Sequence, residues 1–427
     1  MHINTRSALL MAIAGTVVAL YAGAYFLNHQ EDFSIYLMGS QALVDSKNPY
    51  LATDNKYIYG PFLAIFLVPL SFIDLSAAKI LWGILNLSSG LTIAWLLLRL
   101  RFKLLGQNDL LIVLILILTS FSFRNNAGQG QAVSLMLVLS LFTVLTCQSK
   151  SKSSITLTAL AILPVIEIKP YLALGLIAYL FFSAKKRVLV YLAASVVIAN
   201  TLYFIFFKIT YLDWLRALEN RSKSVASGYD QSSIISILTV NTSMSTESRL
   251  VSVFLFYAVI FLLSFKYQKN IRRNTLPFFL VIPGVASPFL HAHDLLFTVA
   301  GFLLVVSFER KNFSSQSALL FSILVLHIGW TSDYLVVGFF LCVLVAVSLS
   351  LSGVDLSRLQ LFGILGASSA WLVAFHFAFD LSNYSRVHAY NIFSLIYACL
   401  VFLYVIRAGS EKMSVLSSSR DNLDWDS

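Results

Sequence analysis

Residues 7–27 read SALLMAIAGTVVALYAGAYFL, and residues 28–36 continue as NHQEDFSIY. The first stretch is apolar and carries no charge. As an α-helix it rises about 30 Å, the thickness of the hydrocarbon core of a bilayer. The second stretch places Glu31 and Asp32 where that helix leaves the apolar layer. An acidic pair is costly to hold near lipid, so it marks chemistry or ion handling more than packing. The span is too long for a signal-peptide core and lacks a clear cleavage site. It is expected to remain as a helix that also targets the chain.

Working outward, the same pattern recurs. The chain has 427 residues, 58% hydrophobic and 12% charged, a balance that excludes a soluble globular domain. Phe and Tyr are abundant, but they serve helix packing and interfacial belts and identify no ligand. The formal charge of +10 would suggest nucleic acid in a soluble protein. Here the cations sit in short clusters between apolar runs, the mark of cytoplasmic loops, so no nucleic-acid partner is expected. Cys147, Cys342 and Cys399 lie in or at the ends of apolar runs without a C-x-x-C pattern. They read as packing residues, with no disulfide framework and no zinc site.

The basic clusters are Arg99 to Lys103, Lys150 with Lys152, Lys185 to Arg187, Lys266 to Arg273, Arg310-Lys311, and Arg407 with Lys412. Placing them all in the cytoplasm predicts an all-α polytopic membrane protein of about 12–14 transmembrane helices with both termini inside. Residues 1–408 would form one membrane domain and 409–427 a cytoplasmic polar tail. Loops 28–58 and 209–249, with short amphipathic helices, would form an outer cap. The run Tyr59–Phe72 is short, opens with Gly60-Pro61 and carries Pro69. It is expected to insert only partly, buried in protein. Segments 154–168 and 171–183 flank Ile168-Lys169-Pro170 and suggest a shallow helical hairpin, broken where Pro170 lacks a backbone donor.

The unusual polar residues collect on the outer side of this scheme. Asp32 and Tyr36, four apart, share a face of any helix that starts there. An ordinary interfacial helix with surface carboxylates is the alternative. Asn48-Pro49-Tyr50 should end that helix, and Tyr57, Tyr59 and Gly60-Pro61 should lead the chain back. Asn125 to Gln131, with Gly128, Gln129 and Gly130, reads as an outer turn before a helix start. It could bring backbone close to an anion, or it could be a plain connection. Arg124 beside it is a phosphate contact or an interfacial anchor. Lys169 pairs with Glu167 as a structural ion pair, or it faces an outer cavity as a point charge for phosphate.

His291-Ala292-His293-Asp294 follows Ser287-Pro288. A metal reading lacks a full ligand set, and histidines two apart point to different faces of a helix. Phosphate or sugar contact and hydrogen-bonded packing are the two remaining readings. The stretch 209–249 is too long for a mere connector and carries Trp214, Arg216, Arg221, Lys223, Tyr229, Gln231 and Ser232. Asp424-Trp425-Asp426 matches the D-x-D pattern of soluble nucleotide-sugar enzymes, but it falls in the predicted tail. The chain shows no P-loop, Rossmann glycine pattern or nucleophile elbow.

An ordered set of motifs resembles glycosyltransferase family 87, a group of the GT-C superfamily that includes polyprenyl-phosphate-mannose-dependent α-mannosyltransferases. The set runs Asp32-Phe-Ser-Ile-Tyr36, Asn48-Pro49-Tyr50, Tyr57-Ile-Tyr59-Gly60-Pro61-Phe62, Pro69-Leu70, Leu81-Trp82, Gly128-Gln129, Ile168-Lys169-Pro170, Gln231-Ser232, and Ser287-Pro288 leading to His291 and His293. Two positions depart from the pattern: Gly60 stands where a second proline is common, and Ala292 separates the histidines. The resemblance implies a GT-C-like bundle and an inverting hexosyltransferase of the plasma (inner) membrane, acting on its extracytoplasmic side. Its donor would be a sugar, mannose by the family's habit, on a polyprenyl phosphate. Its acceptor would be a lipid- or glycan-linked hydroxyl, and membrane lipids would surround it. Asp32 would be the base. Lys169, His291, His293 and Arg124 would hold the donor phosphate, and Tyr36, Tyr50, Tyr59, Gln129 and Gln231 the substrates. No cofactor and no metal are implied. A transporter or lipid flippase, which predicts paired broken helices in two related halves, is the alternative. A non-catalytic membrane partner is the other.

Overall fold

The computed structural model describes residues 5–25, 30–54, 56–101, 107–147, 152–182, 186–224, 275–286 and 291–305. Gln231, most of loop 209–249, the proposed tail and the D-x-D tripeptide lie outside the described residues. The fold is all-α, with no strand among the described residues.

Helix α1 spans Thr5–Tyr25 and buries Leu10, Ile13, Ala14 and Val17, the spacing of a single helix face. That face packs on α6 (Gln107–Thr119), where Ser7 Oγ donates to Asn108 Oδ1 at 2.8 Å. Helix α5 (Leu75–Arg101) packs on both α6 and α8 (Val133–Cys147). Helix α8 packs on α9 (Lys152–Ile168), and α9 packs on α11 (Lys186–Phe207). Helix α10 (Pro170–Phe182) lies against α13 (Thr275–Ala286), which pairs with α14 (Leu296–Val305).

Two described helices, Leu75–Leu100 and Lys186–Phe207, are long and apolar enough to cross a membrane. The apolar window of the first is 50% buried in protein and that of the second 22%. A third candidate is a bent pair, Asn108–Thr119 with Ser122–Gln129, turning by 63°. The other apolar helical stretches among the described residues, Ser7–Leu20 within α1 among them, are 10–17 residues long.

The broken helices make the site. Helix α2 (Glu31–Val44) begins at the acidic pair, and α3 (Pro49–Ala52) is capped by Asn48, whose Oδ1 accepts from Tyr50 N–H at 3.0 Å. The run after Gly60 forms α4 (Pro61–Leu67) and a 3₁₀ turn to Phe72. Twelve such residues rise at most about 20 Å, too short to span a bilayer. The expected turn at Asn125–Gln131 is corrected. Residues Phe121–Gln129 form helix α7, capped by Ser120 Oγ accepting from Phe123 N–H, and the turn is confined to Gly130 and the residues before Val133. Helices α9 and α10 are joined by Lys169 alone, as Pro170 predicts.

Candidate active site

One polar cluster forms around Asp32. The half-buried carboxylate, on the first turn of α2, accepts a short hydrogen bond from Gln131 Nε2. The same glutamine's Oε1 accepts from Tyr36 OH at 2.9 Å. Asp32 and Tyr36 thus share both a helix face and one partner. The Tyr36 ring meets the edge of Tyr59 at 4.7 Å between centroids. Burial pushes the Tyr59 phenol well above its usual range, and the charges of Asp32 and Asp294 push the same way. Burial does the same for Tyr36, with Tyr59 and Asp32 adding to it. Both phenols therefore remain neutral hydroxyl groups.

Gln131 is aimed by the turn before it. Its N–H donates to Asn126 O at 2.8 Å, and Asn126 is bound in turn to Asn86 and Ser134 at the buried interface of α5, α7 and α8. Gly130 takes φ +69°, its carbonyl accepts from Trp82 Nε1 at 2.8 Å, and a Cβ there would lie 2.7 Å from Phe33 Cβ. Only glycine meets both demands without strain. Gly130→Ala should lower stability by about 1–2 kcal/mol from the backbone alone, more with the clash, read as a lower midpoint of thermal unfolding.

A second cluster forms around Lys169. Its ammonium donates to Asp294 Oδ1 at 2.7 Å and to His293 Nε2 at 2.8 Å, all three groups being buried. An ammonium is a donor only, so His293 Nε2 must accept and the ring proton sits on Nδ1. There it donates to Asn125 Oδ1 of α7 at 3.0 Å. Asp294 is held further by Tyr171 OH at 2.8 Å and by His291 N–H at 2.9 Å. The expected divergence of the two histidines is corrected. His291 is extended, at φ −100° and ψ 163°, ahead of a 3₁₀ turn (Ala292–Leu295), so the two rings stack at 5.2 Å. His293 is buried and His291 is half-exposed.

The two clusters share parts. Helix α7 supplies Asn125 to one and leads through Gly130 to Gln131 in the other, and Tyr59 feels the carboxylates of both. A Glu167–Lys169 ion pair does not form: Lys169 pairs with Asp294, and Glu167 accepts from Phe62 N–H, Tyr203 OH and Tyr211 OH. Arg124 is buried on α7 at 8% exposure, which removes it from an interfacial-anchor role. Gln129 ends α7 two residues before the glutamine that reaches Asp32. Tyr50 stands behind the cluster, donating to the Tyr59 carbonyl at 3.1 Å. Gln131, Asn125, Tyr171 and Asp294 were not selected from sequence. Gln131 and Asn125 carried a signal as the polar ends of a glycine-bearing stretch, and Asp294 as the residue beside the histidines.

An all-helical, polytopic membrane protein with a carboxylate cluster and an ammonium cluster set against broken helices is the class that the fold and site define. The profile of glycosyltransferase family 87 matches residues 57–286, more than half of the chain, and the chain belongs to that family. It is therefore a membrane glycosyltransferase. No curated protein matches the chain. Asp32 and the His291–Asp294 stretch lie outside the matched span, and hydrogen bonds to Gln131 and Lys169 tie them to it.

Proposed function

We propose that this glycosyltransferase moves a hexose, by family habit mannose, from a polyprenyl phosphate to the hydroxyl of a lipid- or glycan-linked acceptor, with inversion. The observation that carries the reading is the placing of Asp32 beside Gln131, Tyr36 and Tyr59, next to the Lys169–His293–Asp294 cluster. The acceptor oxygen attacks the anomeric carbon while its proton passes to the Asp32 carboxylate. The bond from that carbon to the phosphate oxygen breaks, and the electron pair leaves with the polyprenyl phosphate. The leaving group is already a phosphate, so it needs positive and donor groups rather than a strong acid.

Lys169 supplies the charge. Asp294 and His293 take two of its three ammonium protons, which leaves one for a phosphate oxygen. His293 has both ring nitrogens engaged and orients the ammonium, whereas half-exposed His291 is the imidazole that meets the donor. Arg124 adds positive potential from α7. Tyr36 and Tyr59 wall the substrate site beside Asp32, on the acceptor side, Tyr50 braces Tyr59, and Gln129 and Gln231 remain candidate substrate contacts. By the arrangement of the basic clusters the site faces the extracytoplasmic side of a plasma (inner) membrane.

Reconstitution in proteoliposomes tests the reading. A polyprenyl-phosphate mannose supplied with an alkyl mannoside should give a new glycoside and free polyprenyl phosphate, with no faster movement of the lipid between leaflets. Transbilayer movement without glycoside would establish the transporter reading instead.

A further inference from the structure

Glu167 is a buried carboxylate that the proposed chemistry does not use. Burying a carboxylate is costly unless hydrogen bonds satisfy it. Its Oε2 accepts from Phe62 N–H at 3.0 Å, and both oxygens accept from Tyr203 OH at 3.1 and 3.0 Å. Oε1 accepts as well from Tyr211 OH, the first residue of α12 (Tyr211–Ser224). Pro170 has no N–H and ends α9, and the Glu167 carbonyl, near that end, accepts from Gly60 N–H at 2.6 Å. One residue thereby joins α4, α9, α11 and α12 at the stretch that carries Tyr59. Helix α12 closes the ring, since Trp214 Nε1 donates to Ile58 O at 3.0 Å.

We propose that Glu167 is a positioning residue that sets the wall of the acceptor side, Tyr59 and through it Tyr36 and Asp32, against the Lys169 cluster. The proposal rests on the assignment of Asp32 as base. Lys169 follows Glu167 by two residues, but Asp294 and His293 hold it from another element. Loss of the Glu167 side chain therefore frees Phe62 N–H and the hydroxyls of Tyr203 and Tyr211 and loosens residues 58–62, which keep the backbone bond at Gly60 and the Trp214 bond at Ile58. It leaves the ammonium where it is. Gly60 belongs to the same joint. A Cβ there would lie 2.5 Å from the Glu167 carbonyl oxygen, so only glycine fits this contact without displacement. Proline would also remove the N–H that this carbonyl accepts.

The purified full-length enzyme, with polyprenyl-phosphate mannose as donor and an alkyl mannoside as acceptor, decides the matter. Glu167→Ala should lower kcat about 10²-fold and raise the acceptor KM, with the donor KM within about twofold of wild type. Glu167→Gln should recover most of the rate, because its oxygen serves Phe62 N–H and its amide donates to the Tyr211 hydroxyl. Gly60→Ala, which crowds the Glu167 backbone and Cβ and displaces the same stretch with the carboxylate retained, should reproduce the acceptor-side loss and carries the test if Glu167→Ala does not fold. Wild-type kinetics in a folded Glu167→Ala or Gly60→Ala, or equal loss on the donor and acceptor sides, would overturn the proposal. So would a Gln variant as slow as the Ala variant, since it would make the carboxylate itself a proton-transfer group. Failure of the base assignment is separately visible, as an active Asp32→Asn.

Discussion

Asp32→Asn is expected to slow sugar transfer about a thousandfold while expression, membrane insertion and thermal unfolding stay as in the wild type. The magnitude follows from the contribution a positioned general base makes. The structural neutrality follows from geometry. Asp32 accepts from Gln131 Nε2, and the asparagine oxygen can still accept that bond. The amide cannot take a proton from an attacking hydroxyl, so only the chemical step is removed. Single-turnover transfer at saturating donor and acceptor reads this directly. Transfer at the wild-type rate would take Asp32 out of the mechanism and leave the Gln131 network as a packing device.

The second large effect belongs to Lys169. Lys169→Ala is expected to lower kcat/KM for the polyprenyl-phosphate donor about 10²-fold, with a much smaller change in the acceptor KM. The substitution also leaves the Asp294 carboxylate buried without its counter-charge, which costs about 3–5 kcal/mol. Pairing it with Asp294→Asn separates the two consequences. The double variant should regain thermal stability, because the stranded charge is gone and Tyr171 OH and His291 N–H still find an oxygen. It should not regain donor use, because no ammonium faces the phosphate. Recovery of donor use in the double variant would reduce Lys169 to a structural ion pair.

The ways in which the structure departs from the sequence reading have a common cause. Asp32 and Tyr36 could be placed on one helix face because a spacing of four is local. The break at Pro170 and the short run after Gly60 were legible for the same reason: each depends on a missing N–H or a length. The partner of Lys169 was not legible. Glu167 stands two residues away and Asp294 more than a hundred, yet the ammonium takes Asp294 and leaves Glu167 to hydroxyl and N–H donors. Helical spacing sends residues two apart to different sides, so adjacency in the chain argued for the wrong pair. The histidines failed in the opposite sense. They were read with helical geometry, but the chain at His291 is extended and brings the rings together.

Apolar length, clustered cations and the residues that stop helices were enough to specify a helical membrane protein and to single out Asp32, Lys169 and the imidazole pair as its unusual polar groups. These are properties of composition and of contacts within one turn, so the chain carries them wherever it folds. Packing of distant helices chose which groups share a proton or a charge: Gln131 for Asp32, Asp294 and His293 for Lys169, and Glu167 for Gly60 and Phe62. A buried donor or acceptor must be satisfied by whatever the neighbouring helix presents, and which helix is the neighbour is a property of the assembled bundle.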